Sequence, residues 1–588
     1  METGRIISGW LGSPLGNSGN VAGRLARRKL ALLVASTSVC ALVSPAMAAP
    51  PLTLPGAVQP GHDRPLPQPQ ATPDFDFSVE APQRSPVPRA VDEIKFKLTD
   101  IHIDGAKTIS ASTFRPLYEH LIGKQISLAD IFDVADGIEK RYKAAGYLLV
   151  RAYVPPQHVK NGVFTIHVVE GYVAGTLVQG ADSATQERVK SYLAPVLQQR
   201  PLRLASVERA LLLSNDLPGV AATGILRPSP GVPGASDLVV TLTQPEVTGG
   251  LSGTNRGSHL SGVWTVTGNA EYNGIFGGDE LDATLTMSPH ALDQQVSGQM
   301  RYRTAIGNDG LVGSMIGVVS HGAPAGTLGS VGIKTDSWAV GPRLTWPLLR
   351  TRLANISLDG GLTFQDAKVQ VAGAPVNHDT WRVADLGITY STPDFLAGSF
   401  SATVDVAQGL SAFGATPDNS KQLSLDGKTD FTKITALTHY VNVFSAPWSF
   451  AVTGNGQYAF DRLITGEEVL FGGSQIGRGY DPGGISGDTG IGGSFELRYD
   501  TRIPDWHING LQPYAFFDGA KVWSHSRPPS SGIVLSNESM ASVGGGLRFW
   551  FPYNIYWDIE GAQTLEAVPG SDNNKRVTKF LTDLSVAF

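Results

Sequence analysis

An arginine between two glycines and a single aspartate in a later aromatic segment are the charged residues best suited to a specific buried contact. Arg478 lies between Gly477 and Gly479 in a glycine-rich stretch, residues 471–493, and Asp518 follows in the next strand-like segment. A buried guanidinium needs an acceptor, because burying either charge alone is costly. We therefore predict that Arg478 pairs with Asp518 and ties a loop to a strand. The alternative is a surface turn that carries Arg478 without such a partner.

The sequence contains none of the common enzyme or metal motifs. There is no GxSxG, HExxH or CxxC, and no nucleotide-binding GxxxxGK[ST]. The 12 histidines are scattered without the spacing of metal ligands. Asp481 and Asp488 could form a paired-carboxylate site, but their glycine-rich surroundings favour a turn. We therefore predict that the protein is not an enzyme and has no cofactor and no metal.

Composition favours a membrane barrel over a soluble domain or a helical membrane protein. Charged residues make up 17% of the chain, below the roughly 25% of soluble domains, and 68 of the 588 residues are glycine. Beyond residue 50 there is no apolar run of the about 20 residues that a transmembrane helix needs. In the strands of a membrane barrel, apolar and polar residues alternate, so the sequence shows no long apolar run. The net charge of -6, without a basic cluster, argues against nucleic acid as a partner.

The first 48 residues have the features of a secretory signal peptide. Basic residues that include Arg27 and Arg28 precede an apolar stretch, residues 30–43, which is too short for a membrane anchor. A small-residue site, residues 46–48, follows. The single cysteine, Cys40, lies in this segment, so we expect no disulfide in the mature chain.

Two small α/β units are predicted between a linker and the C-terminal region. Residues 49–93 are rich in proline and poor in apolar residues, which predicts an extended linker without a core. Residues 94–171 predict a strand at 94–103, then two helical stretches and two short strands. Residues 172–246 predict the same order, so the chain contains an internal repeat.

From residue 247 to residue 588, apolar and polar side chains alternate in segments of about nine to eleven residues, the length of a tilted membrane-spanning strand. Clear examples lie at residues 264–272, 281–288, 354–364, 448–458 and 579–588. A soluble β-sandwich would also alternate, but the export signal, the number of segments and the aromatic residues near segment ends favour an antiparallel transmembrane β-barrel. We predict 16 strands. The last one ends on Phe588, which we interpret as a signal for assembly into the outer membrane.

The predicted loop-to-barrel lock has six members: Arg478, Gly479, Tyr480, Phe516, Asp518 and Gly519. On a regular strand Phe516 and Asp518 share one face, and Phe517 points the other way, towards lipid. We therefore expect Phe516 to pack beside the ion pair. Tyr480 should stack against the inside of the barrel.

The chain resembles the outer-membrane transporters of two-partner secretion, the haemolysin secretion/activation type, which share a superfamily with the barrel-assembly insertases. The resemblance covers residues 94–588 and is carried by short motifs. These are residues 146–148 and 169–172, which look like the first POTRA domain; 209–220, reading RALLLSNDLPGV, which looks like the second; 273–281, which looks like the first barrel hairpin; and 477–480 with 516–519, which match the loop motif and its partner strand. The resemblance implies two periplasmic POTRA domains before the barrel.

Two features depart from the family pattern. The loop of the family often reads Val-Arg-Gly-Tyr or Val-Arg-Gly-Phe, and Gly477 stands where the valine would be. Family members also often carry an N-terminal helix that plugs the pore. The proline-rich segment 49–93 is a poor helix former, which puts such a plug in doubt.

The resemblance implies that the chain captures an unfolded, exported β-rich partner in the periplasm and passes it through its barrel to the surface of a Gram-negative cell. We predict capture at the sheet edge 149–154, with Leu149, Arg151 and Tyr153 on one face. The alternative is an ordinary strand that is already covered. Further expected partners are outer-membrane lipids and the barrel-assembly machinery. Three other functions remain open at this point: a barrel-assembly insertase, a passive porin and a membrane enzyme.

Overall fold

The computed structural model describes residues 77–80, 95–258, 260–290, 292–325, 329–503, 508–527, 537–567 and 575–588. The predicted signal peptide and most of the predicted linker lie outside these residues. The described chain forms two small α/β domains and a closed β-barrel. Within the described ranges, no helix has both the length and the apolar character to cross a membrane.

The first small domain buries one helix against a three-stranded sheet. The helix begins with a capping box, in which Ser127 accepts from the backbone N–H of Asp130 and the Asp130 carboxylate accepts from that of Ser127. Its buried side chains recur at helical spacing. The elements of the chain up to residue 170 are β1 (Phe77–Val79), β2 (Lys95–Lys97), β3 (Asp100–Asp104), 3₁₀ turns at Ala111–Leu117 and Glu119–Leu121, β4 (Gln125–Ser127), α1 (Leu128–Ala144), β5 (Val150–Tyr153) and β6 (Val163–Glu170).

Two details of the first domain differ from the sequence-based prediction. The prediction of a single strand at 94–103 is wrong. The strand is interrupted at Leu98, which is fully buried and whose N–H donates to the carbonyl of Lys124. β2 therefore pairs with β4, and β3 pairs with β6. The first predicted helix is instead a pair of 3₁₀ turns, and Pro116 inside it has no N–H for a regular helical ladder.

The second small domain packs two helices on a four-stranded sheet. Asp182 caps the first of these helices by accepting from the backbone N–H groups of Ala184 and Thr185. The elements are β7 (Tyr172–Gln179), α2 (Ser183–Leu197), α3 (Leu204–Asn215), β8 (Ala221–Pro228) and β9 (Ala235–Thr243). β1, which comes from the predicted linker, joins this sheet as a parallel neighbour of β8.

The two small domains are joined by backbone hydrogen bonds as well as by the chain. Leu202 N–H donates to the carbonyl of Gly171 at 3.0 Å, and Leu204 N–H donates to that of Gly146 at 2.9 Å. Leu149 of the first domain packs against the core of the second. These contacts fix the orientation of one domain on the other.

The barrel is closed by pairing between its first and last strands, and the prediction of a 16-stranded antiparallel barrel is confirmed. β23 and β24 form one interrupted strand, because both pair with β25. The barrel strands are β10 (Val247–Thr254), β11 (Thr265–Asn273), β12 (Asp279–Met287), β13 (Gln295–Ile306), β14 (Leu311–Gly322), β15 (Ile333–Arg350), β16 (Asn355–Val371), β17 (Ala374–Phe395), β18 (Gly398–Gly409), β19 (Thr432–Ser445), β20 (Trp448–Ala459), β23 (Thr489–Tyr499) with β24 (Thr501–Ile503), β25 (Ile508–Trp523), β26 (Glu538–Phe551), β27 (Ile555–Thr564) and β28 (Thr578–Ala587).

The second small domain docks on one end of the barrel, which we call the near rim; the opposite end is the far rim. Arg350, at the near end of β15, donates to both carboxylate oxygens of Asp216 at 2.7 and 2.6 Å. Arg209 of α3 donates to Asp309 in the turn between β13 and β14 at 2.9 Å. Both Arg209 and Asp216 lie in the segment RALLLSNDLPGV. Part of this motif therefore attaches the domain to the barrel.

Candidate functional site

The long far-rim loop between β20 and β23, residues 460–488, folds back into the barrel. It contains a short hairpin of β21 (Val469–Phe471) and β22 (Ile485–Gly487). Apolar side chains of the loop pack against the inner wall in a buried cluster. Its members are Val469, Phe471, Ile476, Tyr480 and Ile485 from the loop and Ala520, Val522 and Met540 from β25 and β26. This packing holds the loop against the inner wall.

Arg478 and Asp518 meet in a dense set of hydrogen bonds. The guanidinium of Arg478 donates through Nη2 to Oδ1 at 3.0 Å and through Nε to Oδ2 at 3.1 Å. The backbone N–H groups of Gly477 and Arg478 also donate to Oδ2, at 3.2 and 3.0 Å. Arg478 is 5% exposed and Asp518 is fully buried. Asp518 therefore holds the loop backbone as well as its cation.

Further groups on the wall surround the Arg478 guanidinium. Nη1 lies 2.7 Å from Glu496 on β23 and 3.4 Å from Glu560 on β27. The guanidinium carbon of Arg478 lies over the ring of Phe516, 3.4 Å from the ring centroid. We call Arg478, Asp518, Glu496 and Glu560 the Arg478 network. It connects the loop to three strands of the barrel.

Backbone conformation explains the glycine at position 477. Gly477 has φ of 86°, and a Cβ there would meet the sulfur of Met540 at 2.4 Å. A β-branched valine in this conformation would be strained, since L residues rarely adopt positive φ. At Gly479 a Cβ would lie 3.1 Å from that of Ser542, which is a tight approach to β26.

The remaining predicted members of the loop-to-barrel lock lie in different environments. The hydroxyl oxygen of Tyr480 lies 3.0 Å from the carbonyl oxygen of Ala541 and 2.5 Å from that of Glu566, so its single proton is held between backbone acceptors at the far rim. Phe516 is buried, whereas Phe517 on the opposite face is half-exposed. Gly519 lies on the outer face of β25, where an added Cβ would make only ordinary contacts. Nothing in the structure explains a glycine at 519.

The sequence analysis missed the two glutamates of the Arg478 network. Both stand at inward positions of alternating strands: Glu496 lies between Phe495 and Leu497, and Glu560 follows Ile559. An acidic residue on the inner face of an otherwise apolar and aromatic strand was the available signal. The signal does not identify a partner, because strand register decides which inward residues become neighbours.

The two aspartates considered as a paired-carboxylate site have separate partners. Asp481 pairs with Lys579 of β28. Asp488 accepts from the backbone N–H groups of Leu463 and His525 and pairs with Arg527 at 3.2 Å. Among the residues that the structure describes, no group of three or more His, Cys, Asp or Glu side chains could hold a metal ion.

The predicted capture edge is an edge strand whose outer side is partly occupied. β5 pairs with β6 on one side only, within the sheet order β3-β6-β5. Tyr153 is half-exposed and stacks on His167, and Arg151 lies 3.8 Å from Glu139 of α1. Glu139 also accepts from the N–H of Ala152 at 3.0 Å. One main-chain donor of β5 is therefore already used.

The second small domain has another edge, at β8, and part of the predicted linker lies along it. β1 pairs in parallel with β8, from Phe77 opposite Gly224 to Val79 opposite Leu226. Glu80 N–H donates to the carbonyl of Leu226 at 2.9 Å, and its carboxylate lies 3.2 Å from Arg227. This edge accepts an extended segment by main-chain hydrogen bonds.

Phe588 lies where the barrel closes. Its backbone exchanges two hydrogen bonds with Gly249 of β10, at 2.9 and 3.0 Å. Its side chain is mostly exposed on the outside of the barrel. This position suits a contact with lipid or with another protein, and the predicted role in assembly stays a prediction.

The motif residue Glu170 fixes the core of the first small domain. It accepts from the backbone N–H groups of Lys107 and Thr108 at 3.0 and 2.7 Å and from the hydroxyl of Tyr142 at 2.7 Å. Burial opposes ionisation of this carboxyl, but the hydrogen bonds from Thr108, Tyr142 and Lys107 outweigh it and lower its pKa. Glu170 thus links the end of β6 to α1.

Comparison with known proteins matches both parts of the chain. The family described as haemolysin secretion/activation protein ShlB/FhaC/HecB matches residues 234–549, and the ShlB-type POTRA domain matches residues 96–171. The heme/hemopexin transporter protein HuxB of Haemophilus influenzae is 23% identical over 503 residues, 82% of this chain and 86% of that protein.

Two solved structures share the fold. CdiB from Escherichia coli superimposes with a TM-score of 0.66 at 19% identity, over 86% of this chain and 93% of CdiB. BamA from Haemophilus ducreyi, in a structure that lacks POTRA domains 1–3, has a TM-score of 0.51 at 14% identity, over 84% of this chain and all of that structure. These likenesses agree with a barrel preceded by POTRA domains.

Proposed function

The chain belongs to the haemolysin secretion/activation protein family ShlB/FhaC/HecB, and we propose that it is an outer-membrane transporter for an exported β-rich partner protein. The partner would arrive unfolded in the periplasm, bind the two POTRA domains and pass through the barrel to the cell surface. One observation carries the proposal: a POTRA domain is docked on the near rim of a barrel whose interior holds a folded-in loop. The near rim is the periplasmic end.

The relatives favour this proposal over a barrel-assembly insertase. HuxB is named as a heme/hemopexin transporter and HpmB of Proteus mirabilis as a hemolysin transporter, the latter 24% identical over 442 residues, 72% of this chain and 76% of that protein. The likeness to BamA is one of fold. A passive porin would have no use for two domains held at its periplasmic mouth.

Capture of the partner is proposed to use β-strand addition at an exposed sheet edge. The β8 edge supports this mode, because a short segment of the linker already binds there in extended form. A longer partner strand could replace β1 and gain further main-chain hydrogen bonds. The β5 edge, with Leu149, Arg151 and Tyr153, stays a second candidate. Its disadvantages are the contact of Leu149 with the next domain and the occupied N–H of Ala152.

Passage is proposed to require movement of the loop that carries Arg478. The loop occupies the interior next to β23, β25 and β26, and its apolar cluster and the Arg478 network hold it there. An unfolded chain could pass through the barrel only after this loop has moved aside. The driving force would be folding of the partner outside the cell, since the sequence has no nucleotide-binding motif.

The proposal is tested by deleting the gene and comparing two protein fractions. We expect the culture medium to lose one large exported β-rich protein, while the set of outer-membrane barrels keeps its normal abundance. Complementation with the intact chain should restore the secreted protein. A general fall in outer-membrane barrels with unchanged secretion would contradict the transporter and support an insertase.

We also propose that Phe588 takes part in assembly by the barrel-assembly machinery rather than in transport. Its exposed side chain and closing position support this role. Phe588→Asp should reduce the amount of heat-modifiable barrel in the outer membrane, and Phe588→Tyr is the matched control. Normal abundance of the Asp variant would contradict the role.

A further inference from the structure

The loop at residues 460–488 is held to the barrel at two separate places. Its tip, which we define as residues 472–484, carries Arg478 and contacts the wall at β23, β25, β26 and β27. Its base, residues 461–468 together with Asp488, lies at the far rim. The short hairpin of β21 and β22 lies between these two parts. The contacts of the base and of the tip can therefore be compared.

Asp488 joins the two ends of the loop through a buried ion pair. One carboxylate oxygen accepts from the N–H of Leu463 at 2.6 Å, and the other accepts from the N–H of His525, in the next far-rim loop, at 2.7 Å. Arg527 of that next loop donates through Nη2 to Asp488 and to the carbonyl of Leu463, both at 3.2 Å. The side chains of Asp488 and Arg527 are 0% exposed. The two ends of the loop are therefore tied to each other and to a second loop.

Glu467 fixes the base to the inner wall at β17, β19 and β20. Its carboxylate accepts from the indole N–H of Trp381 on β17 at 2.7 Å and lies 2.7 Å from Nζ of Lys433 on β19. The main-chain carbonyl of Glu467 accepts from the same Nζ at 2.9 Å and from the side-chain amide of Gln457 on β20 at 3.0 Å. Glu467 and Lys433 are both buried. Three strands therefore hold the side chain and the backbone of one loop residue.

A further far-rim loop, residues 410–431, packs on the base. The N–H of Thr465 donates to Oγ of Ser424 in that loop at 2.9 Å. Apolar side chains of the two loops share one buried cluster. Its members include Leu423 and Phe431 from residues 410–431 and Leu463 and Ile464 from the base, together with Trp381 of β17. Displacement of the base would expose this apolar surface to water, which is unfavourable.

The tip is attached in a different way. Its main polar contacts with the wall come from one short segment, residues 477–481, and several of them converge on the carboxylate of Asp518. Where the tip meets the hairpin, Gly472 has φ of 114° and Gly483 has φ of 67°. Glycine changes such angles at low cost, so these two positions suit hinges. The wall contacts of the tip can therefore be released together, whereas those of the base are spread over three strands and two other loops.

We propose that Glu467 and Asp488 are positioning residues that keep the base of the loop in place while the tip moves as a hinged unit. The base stays on the inner wall at β17, β19 and β20, and the space that the tip vacates lies beside β23, β25 and β26. Passage is therefore confined to that side of the lumen. This inference rests on the proposed transport function, but its tests need no partner protein. A result against the hinge would leave the secretion test of the whole chain unaffected.

The first test measures hydrogen–deuterium exchange of the purified full-length mature protein in detergent by mass spectrometry. Peptides that cover residues 461–468 of the base should exchange at least about tenfold more slowly than peptides that cover the tip, residues 472–484, because parts of a fold that open separately have different opening free energies. Equal exchange of base and tip would show that the loop opens as one unit and would overturn the hinge.

The second test locks each part of the loop with a disulfide. A Cβ at Gly479 would lie 3.1 Å from Cβ of Ser542, close to the about 3.8 Å that separates the Cβ atoms of a disulfide, so Gly479→Cys/Ser542→Cys should lock the tip. Ser424→Cys/Thr465→Cys should lock the base, because a hydrogen bond of 2.9 Å already joins these two residues. Mass spectrometry verifies that each disulfide has formed.

The readout of the second test is the open probability of the channel in planar lipid bilayers. Each variant is compared with its own reduced form, so that the effects of the substitutions themselves cancel. Oxidation of the tip pair should lower the open probability by about tenfold or more, because the open state requires a released tip. Oxidation of the base pair should leave the open probability unchanged. Loss of openings with a locked base, or unchanged openings with a locked tip, would overturn the proposal.

The third test addresses the charge of Glu467. Glu467→Gln leaves Lys433 buried without its counter-charge, so exchange in the base should rise by about tenfold or more while exchange in the tip stays the same. Adding Lys433→Met removes the unpaired cation and should return the exchange of the base towards that of the unchanged protein. The matched control is Asp461→Asn, because Asp461 pairs with Lys428 at the same rim at 2.7 Å, but both side chains are partly exposed. Equal exchange in the Gln and Asn variants would overturn the role of Glu467.

Discussion

The inner wall that faces the loop and the inner wall on the opposite side use the same residue types under different conditions. Beside the loop, Arg478 pairs with carboxylates that are at most 6% exposed. On the opposite wall, Arg303 pairs with Glu280 and Arg343 with Asp385. These carboxylates are also buried, at 4% and 2% exposed, but the arginine side chains are 38% and 31% exposed, whereas Arg478 is 5% exposed. The difference between the walls therefore lies in the cation, which solvent reaches and screens only in the second set.

This difference indicates that burial by the loop, and not the pairing of charges alone, makes an ion pair important for the structure. A buried pair contributes little net stability, but the loss of one partner leaves the other uncompensated. Where the arginine is partly exposed to the lumen, its loss should cost less, because water already reaches the pair. The two walls should therefore respond differently to the same substitution.

Arg478→Ala should have the largest effect, because it leaves Asp518, Glu496 and Glu560 without their shared cation. We expect a loss of about 3–5 kcal/mol in the free energy of unfolding and impaired secretion, with a barrel still present in the membrane. Asp518→Ala should cost somewhat less, since Arg478 keeps two glutamates. The double variant should be no worse than Arg478→Ala. Urea unfolding of the purified barrel measures this, and additive losses would contradict a shared contact.

Asp216→Ala should have an intermediate effect, at the junction of the POTRA domain and the near rim. Arg350 is 5% exposed and would keep only Asn355 as a side-chain acceptor, at 3.0 Å. We expect a loss of about 2 kcal/mol, the value of hydrogen bonds to a charged group, and faster protease cleavage between the domains. Asp309→Ala, at a mostly exposed partner of Arg209, is the control. Equal cleavage rates for the two variants would contradict a buried junction.

Glu170→Gln should destabilise the first POTRA domain by about 1 kcal/mol, because glutamine keeps one acceptor oxygen but loses the charge. The pKa of Glu170 is lowered in the folded state, so its ionised form stabilises the fold. This stabilisation is complete above about pH 4.5, the ordinary pKa, and is lost as the pH falls towards the lowered value. Thermal melting from pH 7 to pH 3 should show a smaller decline in the Gln variant. Parallel pH profiles would contradict this role.

Arg343→Ala should have the smallest effect, at most about 1 kcal/mol, since the Arg343 side chain is 31% exposed and solvent screens its pair with the buried Asp385. Added salt should change the stability of this variant and of the unchanged protein by similar amounts. The same urea unfolding experiment applies. A loss as large as that of Arg478→Ala would remove the distinction between the two walls.

Much of the architecture could be predicted from local sequence patterns. Alternation identified the barrel strands, and helical spacing identified α1. The pattern failed at residues 94–103, where it continues through Leu98 although the backbone turns away to pair with Lys124. It also failed to show that residues 77–79 would join the second domain, since three residues are too few to reveal an alternating pattern.

The sequence by itself determined the fold class, because a period of two residues and a length of about ten residues are properties of each strand alone. It also determined that Arg478 needs an acceptor. Only the tertiary structure decided that Glu496 and Glu560 join Asp518 around this cation. These neighbours come from β23, β25 and β27, and strand register and barrel closure bring them together. The depth of burial depends on the folded-in loop, which no single segment specifies.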